Sequence, residues 1–456
     1  MNIDNIMKNI KRIHMIGIGG SGMFPIVQIL HKAGYIISGS DNNEGSIIDA
    51  ERAMGISVAM KQCAENIGDD VELVVYSAAI AKTNVELATA FEKELPTVER
   101  SELLGYLTRQ YSNCICVSGT HGKTSTTAML TQILLEAGLD PSAVIGGKLP
   151  AIGGYGRSGE SEVMTCEACE YSNTFLHLNP DVAIILNIDE DHLDYFKTME
   201  NLISSFSKFA ANTTKCLIIN GDDENSQLAV KGISKKVVTF GLGEKNDYTA
   251  KNIKQLSPMH TAFELVKNGE VLCKLDLHIP GKHQILNAVA ACAAAIEVGA
   301  EPEKLNIGLS NFRGAGRRFE VLGELKGVTI VDDYAHHPAE IAATLKAAVN
   351  MGYKSVWTVH QPFTYSRTSM LIDDFAEALA IADHVVLSEI MGGREENTYN
   401  IYTKDLAAKI ERAVWFESFD EIADYVVKNA KPGDLVITMG CGDVYKCAHK
   451  MLERYN

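Results

Sequence analysis

A short glycine-rich stretch of the chain has the residue types that bind a polyphosphate. The apolar run 114–117 leads into Gly119-x-x-Gly122-Lys123-Thr124, and a helical pattern follows. Backbone N–H groups at the start of a helix, together with the helix dipole, attract phosphate. A lysine in such a loop reaches the terminal phosphates, and the hydroxyl after it ligates Mg²⁺. Lys123 and Thr124 are therefore predicted to act on a polyphosphate and its metal ion.

This loop is shorter than the full Walker A motif, which has another glycine five residues before its second one. Val117 stands at that position. The remaining glycines, lysine and hydroxyls still fall where phosphate chemistry needs them, and the helix is expected from about Thr126. The alternative is an ordinary strand-to-helix turn that binds nothing.

Acidic side chains and a histidine follow two further apolar strands. Glu167 and Glu170 lie at the polar end of one strand, and Asp191-His192 follow the strand 181–187. Because the carboxyl ends of parallel strands meet at one edge of a sheet, these groups are expected beside the phosphate loop. Carboxylates there suit a hard divalent cation. Solvated loop side chains are the alternative for Glu170 and His192.

The N-terminal region carries a second glycine-rich turn. Gly17-x-Gly19-x-x-Gly22 follows a strand, and Asp41 ends the next strand about 20 residues further on. This is the dinucleotide fingerprint, in which the acid binds a ribose. An NAD-dependent oxidoreductase is one interpretation. A nucleoside diphosphate on the same turn is another, and a tight turn without a ligand is the third.

Three later segments carry polar residues at fixed spacing. His283 and Asn287 lie one helical turn apart, so an amide there could read an adenine edge or simply cap or pack. An arginine-rich joint ends at Arg317-Arg318, and guanidinium groups suit phosphate. The run Asp332-Asp333-Tyr334-x-His336-His337 follows a strand and precedes a helix-starting proline. We interpret it as part of a site.

Composition restricts the class of protein. The 456 residues are 46% hydrophobic with a net charge of −16, which argues against general binding to nucleic acid or to anionic membranes. No apolar run reaches the 18 or so residues of a membrane span, and the polar N-terminus is not a signal peptide. Ten scattered cysteines indicate reduced thiols of a cytoplasmic protein, without zinc-finger spacing.

Strands and helices alternate along nearly the whole chain, which predicts an α/β fold with parallel sheets. The length prior gives about three domains. We predict a Rossmann-like domain over 1–112, a central phosphate-loop domain over 113–312 and a second Rossmann-like domain over 313–456. Asn268-Gly269 between two apolar runs predicts a type I′ hairpin, hence a small antiparallel part in the central sheet.

In this order, the motifs resemble those of the Mur ligase family over nearly the whole chain. The motifs with the closest match are Gly119-Thr120-x-Gly122-Lys123-Thr124-Ser125, Asn187-x-x-x-Asp191-His192-x-Asp194 and Asp332-Asp333-Tyr334-x-His336-His337-Pro338. The resemblance implies an ATP-dependent ligase of peptidoglycan precursor synthesis, with Mg²⁺. Its substrates would be UDP-N-acetylmuramate and L-alanine, joined through an acyl phosphate, in a cytoplasmic monomer or homodimer.

The resemblance also implies roles for individual residues. Catalysis would depend on Lys123, Glu170, His192, His336 and Arg367, with Thr124, Glu170 and His192 on the metal. We choose Glu170 over Glu167 because Glu170-x-Ser172 matches the family pattern. ATP would contact Gly119, Thr120, His121, Gly122, Lys123, Thr124, Ser125, Asn287 and Arg318. The UDP substrate would contact Gly19, Gly20, Gly22, Met23, Asp41 and Ser77, and the amino acid would contact Tyr334, His336 and Arg367.

One departure from the family concerns the acceptor. Phe363-Thr364-Tyr365 stands where the family usually has His-Arg-Tyr, although Arg367 is kept. Glycine, L-serine or a recycled peptide are therefore alternative acceptors, and a non-catalytic nucleotide-binding regulator is a further alternative. Lys208 lies near the place of a modified lysine in other Mur ligases but is out of register, and we assign it no role.

Overall fold

The computed structural model describes residues 3–393 and 395–455. It is an α/β protein with three sheets, which confirms the predicted fold class. The chain forms two compact units, of which the first comprises residues 3–254, Ala262–Leu277 and His283–Phe312. The second comprises Gln255–Thr261, His278–Lys282 and residues 313–455. Within the described residues, no helix is both long enough and apolar enough to span a bilayer.

The first sheet has five parallel strands in the order β3-β2-β1-β4-β5. The strands are β1 (Arg12–Ile16), β2 (Ile36–Ser40), β3 (Ser57–Ala59), β4 (Leu73–Tyr76) and β5 (Thr97–Glu99), and the helices are α1 (Ile3–Met7), α2 (Phe24–Lys32), α3 (Ser46–Ala53), α4 (Val85–Glu92) and α5 (Arg100–Thr108). Strand order reverses direction at β1, and ligands of open parallel sheets bind beyond the carboxyl ends at such a point.

The second sheet has ten strands in the order β15-β14-β13-β12-β11-β10-β6-β9-β7-β8. Its strands are β6 (Asn113–Ser118), β7 (Ser142–Leu149), β8 (Gly154–Arg157), β9 (Val163–Glu167), β10 (Val182–Ile185), β11 (Cys216–Asn220), β12 (Lys236–Gly241), β13 (Tyr248–Ser257), β14 (His260–Lys267) and β15 (Glu270–Leu277). The associated helices are α6 (Lys123–Glu136), α7 (Leu193–Phe196), α8 (Met199–Asn212), α9 (Glu224–Val230), α10 (Lys282–Glu297) and α11 (Pro302–Asn311).

The centre of this sheet is parallel, and its edges carry the antiparallel parts. Strand β6 pairs in parallel with β10 on one side and with β9 on the other. Strands β7 and β8 are antiparallel. Asn268 and Gly269 have φ of +50° and +88°, as a type I′ turn between β14 and β15 requires. The predicted hairpin is therefore confirmed.

The two sheets of the first unit share one hydrophobic core. Met15 of β1, Cys116 of β6 and Ile185 of β10 are fully buried members of it. Strands β6, β10 and β11 are buried along their whole length except at the half-buried Asn113, as expected when helices cover both faces of a parallel sheet. The loops at the carboxyl ends of these strands are thus held by a rigid base.

The third sheet, in the second unit, has the order β16-β17-β21-β18-β19-β20 and is parallel except for β16 against β17. Its elements are β16 (Glu320–Leu325), β17 (Val328–Asp333), β18 (Val356–His360), β19 (His384–Ser388), β20 (Val414–Phe416), β21 (Leu435–Met439), α12 (Pro338–Val349), α13 (Tyr365–Met370), α14 (Ile372–Leu379), α15 (Thr403–Ala407), α16 (Phe419–Asn429) and α17 (Tyr445–Tyr455). Short 3₁₀ helices occur in the first unit at Ala64–Asn66, Pro150–Ile152 and Tyr171–His177.

Candidate active site

The phosphate loop connects β6 to α6, and its two glycines are required by its geometry. Helix α6 begins at Lys123, three residues earlier than the sequence pattern indicated, because Gly122 ends the loop with φ of +85°. A Cβ on Gly122 would lie 2.7 Å from Oδ1 of Asn287. Gly119 has φ of +138°, and a Cβ there would lie 2.9 Å from Cβ of Leu186. A side chain at either position would therefore distort the loop.

Asn187, two residues beyond β10, fastens the loop from the neighbouring strand. Its Oδ1 accepts a 2.8 Å hydrogen bond from the His121 N–H, and its Nδ2 donates a 3.1 Å bond to the His121 carbonyl. The Thr120 hydroxyl accepts a 2.9 Å bond from the Asp189 N–H. Asn187 stands in one of the sequence motifs, although no role was predicted for it. These contacts hold the loop in one shape before any ligand is bound.

Lys123 lies under the loop and is almost buried. Its Nζ donates to the carbonyls of Gly119 and Thr120 at 2.5 and 2.9 Å, and to Oε1 of Glu170 at 3.0 Å. Burial lowers the pKa of Lys123, but the neighbouring carboxylates, above all Glu170, raise it further, so the pKa lies above its ordinary value. Lys123 is therefore a fixed ammonium charge at the start of α6.

Two carboxylates flank the start of α6, and they have different partners. Thr124 donates a 2.9 Å hydrogen bond from Oγ1 to Oε1 of Glu167, whose Oε2 accepts a 2.7 Å bond from the Gly146 N–H. Glu170 instead faces Lys123: its buried Oε2 forms an ion pair with the lysine Nζ at 2.9 Å and makes no hydrogen bond to a described residue. Thr124 and Glu170, both predicted metal ligands, are thus not direct partners.

The backbone is strained in two segments, one directly after Glu170 and one in the loop after β10. Ser172, Asn173 and His192 have φ of +56°, +59° and +55°, which non-glycine residues rarely adopt. The His192 ring lies 4.8 Å from the ring of Tyr171, and its Nε2 lies 3.8 Å from Oε1 of Glu170. Strain of this kind occurs at functional sites more often than elsewhere. The structure therefore brings His192 and Glu170 together, as predicted from their strand ends.

These donors suit a hard cation that keeps most of its own water. No three of the described His, Cys, Asp and Glu side chains form a closed metal cage. Mg²⁺ does not need one, since it usually takes one or two carboxylates plus water and substrate phosphates. The Thr124 hydroxyl, Glu167, and the buried Glu170 Oε2 that makes no hydrogen bond are oxygen donors of that kind. The residues present therefore fit Mg²⁺ and are a poor fit for a structural zinc site.

The first sheet brings the other glycine-rich turn next to Asp41 and Ser77. Oδ2 of Asp41 accepts a 3.0 Å bond from the Gly19 N–H, and Oδ1 accepts from the backbone of Asn42 and Asn43. The Ser77 hydroxyl lies 3.7 Å from a Cβ placed on Gly17. Asp41 thus ties the turn to the end of β2.

The other predicted residues of this turn precede α2. The Met23 N–H donates a 2.8 Å hydrogen bond to the Gly20 carbonyl, and this bond closes the turn. Gly22 lies within the turn that it closes. The Met23 side chain is buried in the core, so its backbone alone faces the turn.

Asn287 lies on the first turns of α10, against the phosphate loop. It is buried, its Nδ2 donates a 3.0 Å bond to Oε1 of Gln284, and its Oδ1 faces Gly122. His283 is close enough to His121 for the two to repel when protonated, and burial together with that repulsion lowers the pKa of His283. The predicted adenine contact of Asn287 stays a prediction.

In the second unit, the two neighbouring arginines differ in their partners. Arg317 donates to Oδ2 of Asp332 at 2.9 Å and to the Gly440 carbonyl at 2.6 Å, and its guanidinium lies over Tyr445. The Arg318 guanidinium lies over the ring of Tyr334, 5.1 Å from its centre. Arg317 therefore has a structural role within the second unit. The phosphate contact predicted for Arg318 stays a prediction.

The adjacent histidines also divide into two roles. His337 caps α12 by accepting the Ala339 N–H. His336 Nδ1 lies 3.1 Å from the Tyr334 carbonyl and 3.3 Å from Glu340. Burial lowers the pKa of His336, although Glu340 acts in the opposite direction. His336 is therefore an imidazole that stays neutral near pH 7.

The departure at 363–365 has a structural function. The Thr364 hydroxyl accepts the Arg367 N–H and so caps α13, the helix that carries Arg367. Phe363 and Thr364 pack on Gly393, where a Cβ would lie 3.5 and 3.4 Å from them. No hydrogen bond or ion pair of the Arg367 guanidinium is found within the described residues. Arg367 is thus held on a capped helix.

The fold and the site together define a phosphate-loop α/β protein. Comparison with known families places Mur ligase domains along the chain: "Mur ligase family, catalytic domain" at residues 12–112, "Mur ligase middle domain" at 117–295, and "Mur ligase, glutamate ligase domain" at 317–442. The chain is 42% identical to the UDP-N-acetylmuramate–L-alanine ligase of Caldanaerobacter subterraneus, over 99% of both chains. It is 43% identical to the ligase of that name from Agathobacter rectalis, over 97% of this chain and 98% of the relative.

Solved structures agree with this result. The UDP-N-acetylmuramate–alanine ligase of Thermotoga maritima superposes with a TM-score of 0.83 at 27% identity, covering 97% of this chain and 99% of that one. A murein peptide ligase from Psychrobacter arcticus shares the fold at a TM-score of 0.75 and 23% identity, with 98% of each chain covered. The chain belongs to the Mur ligase family. The predicted family is confirmed, and the oxidoreductase alternative has no support.

Proposed function

We propose that this protein joins L-alanine to the lactyl carboxylate of UDP-N-acetylmuramate, with cleavage of ATP to ADP and phosphate, in peptidoglycan precursor synthesis. The observation that carries the proposal is the arrangement at the start of α6, where Lys123 faces Glu170 and Thr124 faces Glu167 beneath a preformed loop. Near-full-length identity of 42–43% to ligases with that name supports the choice of substrates.

ATP would bind with its phosphates on the loop 119–125. Its oxygens would take the N–H groups at the start of α6, and Lys123 would exchange a loop carbonyl for a phosphate oxygen. Asn287 against the loop would lie near the adenine, and Arg318 is the proposed arginine for the phosphates. Thr124, Glu167, Glu170 and His192 would hold Mg²⁺, which neutralises charge on phosphate oxygens when it is bound.

The reaction has two steps. A carboxylate oxygen of the muramyl substrate attacks the γ-phosphorus of ATP, and the bond from that phosphorus to the β,γ-bridging oxygen breaks. ADP departs, and the substrate becomes an acyl phosphate. The amine of L-alanine then attacks the acyl carbon, phosphate leaves, and the amine loses a proton. In phosphoryl transfer the protein chiefly positions groups and stabilises charge, and Lys123 supplies a fixed positive charge for this.

The second unit is proposed to bind the amino acid. Arg367 would pair with its carboxylate, and Tyr334 would line the same place. His336, kept neutral by burial, would accept the proton that the amine releases. The turn at Gly19, Gly20, Gly22 and Met23, with Asp41 and Ser77, would bind the UDP moiety in the first unit. We retain domains at 1–112, 113–312 and 313–456 as the proposed organisation.

We place the reaction in the cytoplasm, since all ten cysteines are free thiols and Cys114 and Cys116, 3.8 Å apart at their sulfur atoms, share a hydrogen bond and not a disulfide. A monomer or homodimer is proposed, without nucleic-acid or membrane partners, in line with the net charge of −16.

Phosphate release tests the proposal. Purified protein is supplied with Mg-ATP and UDP-N-acetylmuramate and with L-alanine, L-serine, glycine or an alanyl peptide in turn. We expect release with L-alanine, and transfer of ¹⁸O from the substrate carboxylate into phosphate. Faster release with another acceptor would reassign the amino acid. ATP binding without release on any acceptor would replace the ligase by a nucleotide-binding regulator.

A further inference from the structure

Arg100 is the first residue of α5, and its guanidinium lies flat on the N-terminal glycine-rich turn. A Cβ placed on Gly22 would lie 3.4 Å from Nη1 of Arg100, 3.5 Å from Cζ and 3.7 Å from Nε. Because Gly22 has no side chain, the guanidinium can lie directly against the turn that precedes α2. Neither the glycine fingerprint nor the family motifs predicted a contact from α5.

Within the described part of the chain, the guanidinium of Arg100 has no anionic partner. Among residues 3–393 and 395–455, it makes no hydrogen bond and no ion pair within 4.0 Å. The side chain is nevertheless half-buried. Arg109, which follows the other end of the same helix, makes a two-pronged pair with Asp4. A half-buried charge without a counter-ion is costly, and a bound anion removes that cost.

A small cavity next to Arg100 has a second polar group without a partner. The cavity has a volume of about 30 Å³ and is lined by Arg100, Ser101, Glu167 and Cys169, among others. Ser101 is only 2% exposed, and its hydroxyl oxygen has no hydrogen-bond partner among the residues that the structure describes. Buried hydroxyls are nearly always hydrogen-bonded. Arg100 and Ser101 thus leave two unused donors between the glycine-rich turn and the carboxylate that faces Thr124.

We propose that Arg100 binds the diphosphate of the UDP substrate, with its guanidinium closing over the turn at Gly22. A guanidinium takes two phosphate oxygens at once, which matches its flat position on this turn. The diphosphate is the more suitable anion here, because the guanidinium lies against Gly22, a member of the turn that is proposed to bind the UDP moiety. The proposal rests on the proposed function, since it takes a UDP-linked substrate as given.

Binding measurements with purified full-length protein test this. UDP-N-acetylmuramate, UDP and uridine are titrated by calorimetry into wild type, Arg100→Ala, Arg100→Lys and the control Arg109→Ala. We expect Arg100→Ala to weaken binding of UDP-N-acetylmuramate and UDP about 10- to 100-fold and to leave binding of uridine unchanged. Arg100→Lys should regain part of the affinity, because it keeps the charge but not the two-pronged geometry. Arg109→Ala should bind like wild type.

The outcomes separate the two proposals. Unchanged UDP affinity in Arg100→Ala refutes the inference while leaving the function standing. A loss of affinity for UDP-N-acetylmuramate alone, with UDP affinity unchanged, also refutes the inference, because it would assign Arg100 to the substrate carboxylate. If wild type binds neither UDP nor UDP-N-acetylmuramate, both the proposed function and the inference are refuted. A circular dichroism spectrum and melting temperature like those of wild type show that Arg100→Ala is folded. If it is not folded, the UDP affinity of Arg100→Lys decides, and an affinity equal to that of wild type refutes the inference.

Discussion

Thr124 donates a 2.9 Å hydrogen bond from its hydroxyl to Oε1 of Glu167. Both groups are oxygen donors at the start of α6, where a phosphate-bound Mg²⁺ is expected. Glu170, the carboxylate that we chose from the sequence, instead faces Lys123 and His192. The two acids therefore have separate partners, and we assign Glu167 to the Thr124 side of the metal and Glu170 to the Lys123 and His192 side.

A double-mutant cycle tests the Thr124–Glu167 pair. Thr124→Val and Glu167→Gln should each raise the Mg²⁺ concentration needed for half-maximal activity by about tenfold. Because the two groups act together, the double mutant should be little worse than the worse single mutant. Phosphate release over a magnesium titration gives the three values. Additive losses would mean that the residues act independently.

Lys123→Ala should remove phosphate release while leaving UDP-N-acetylmuramate binding intact. The ammonium lies under the phosphate loop, and loss of such a charge from a phosphoryl-transfer site costs about 10²–10³ in rate or more. Calorimetry measures the retained binding, and a phosphate assay measures the loss. Lys231→Ala, an exposed lysine just after α9, is the control. Loss of UDP-substrate binding in Lys123→Ala would contradict the separation of the two sites.

Gly122→Ala and Gly138→Ala separate backbone strain from steric clash at the two ends of α6. Both glycines have left-handed backbone conformations, with φ of +85° and +78°. The backbone strain of an alanine at either position should lower the unfolding free energy by roughly 1–2 kcal/mol. A Cβ at 138 meets no atom within 4 Å, whereas one at 122 lies 2.7 Å from Asn287. Urea unfolding should therefore show a larger loss of stability in Gly122→Ala, where the clash adds to the strain, and ATP titration should show weakened binding in Gly122→Ala alone. Equal ATP affinities would refute the clash.

Glu51→Gln should flatten the pH dependence of stability. Burial and the nearby Asp41 raise the pKa of Glu51 from 4.5 to about 8, and neither carboxyl oxygen has a hydrogen-bond partner in the described part of the chain. The unfolded chain ionises at lower pH, so the wild type should lose stability as pH rises from about 4.5 to about 8, by an amount on the order of a few kcal/mol. The melting temperature of Glu51→Gln, relative to that of wild type, should be higher at pH 8 than at pH 5.

The exposed residue Glu92 of α4 provides the control for that comparison. Glu92→Gln removes a carboxylate from the surface of the same sheet layer, and its melting temperature should follow that of wild type at both pH values. A Glu51→Gln variant that shows no relative gain at pH 8 would mean that Glu51 is already ionised in the folded protein.

Local features of the site could be predicted from the sequence. Gly119, Gly122, Lys123 and Thr124 are close in the chain, so backbone geometry alone places them at the start of a helix. Glu170 and His192 could be paired because both follow parallel strands. The predicted α/β class likewise followed from alternating apolar runs, each of which forms a strand or helix where it stands.

Features that depend on distant packing could not be predicted. Spacing did not separate Glu167 from Glu170, because the difference arises in a strained turn after Glu170. Arg317 and Arg318 are neighbours in sequence, yet Arg317 binds Asp332 and Gly440 whereas the Arg318 guanidinium lies over Tyr334. Arg100 carries no motif, and its position beside Gly22 follows from how α5 packs against the first sheet. In each case tertiary contact decides between chemically equal residues.

The position of β6 between β9 and β10 has a consequence for synthesis of the chain. The ribosome makes β6 before either of its neighbours, so the apolar strand that carries the phosphate loop first emerges with both edges unpaired. Unpaired apolar edges are where nascent chains aggregate, and non-local pairing is slow. A chain stalled before residue 185 would therefore expose an unpaired edge of β6 and lack a nucleotide site, and nucleotide binding reports that β6 has gained both of its neighbours.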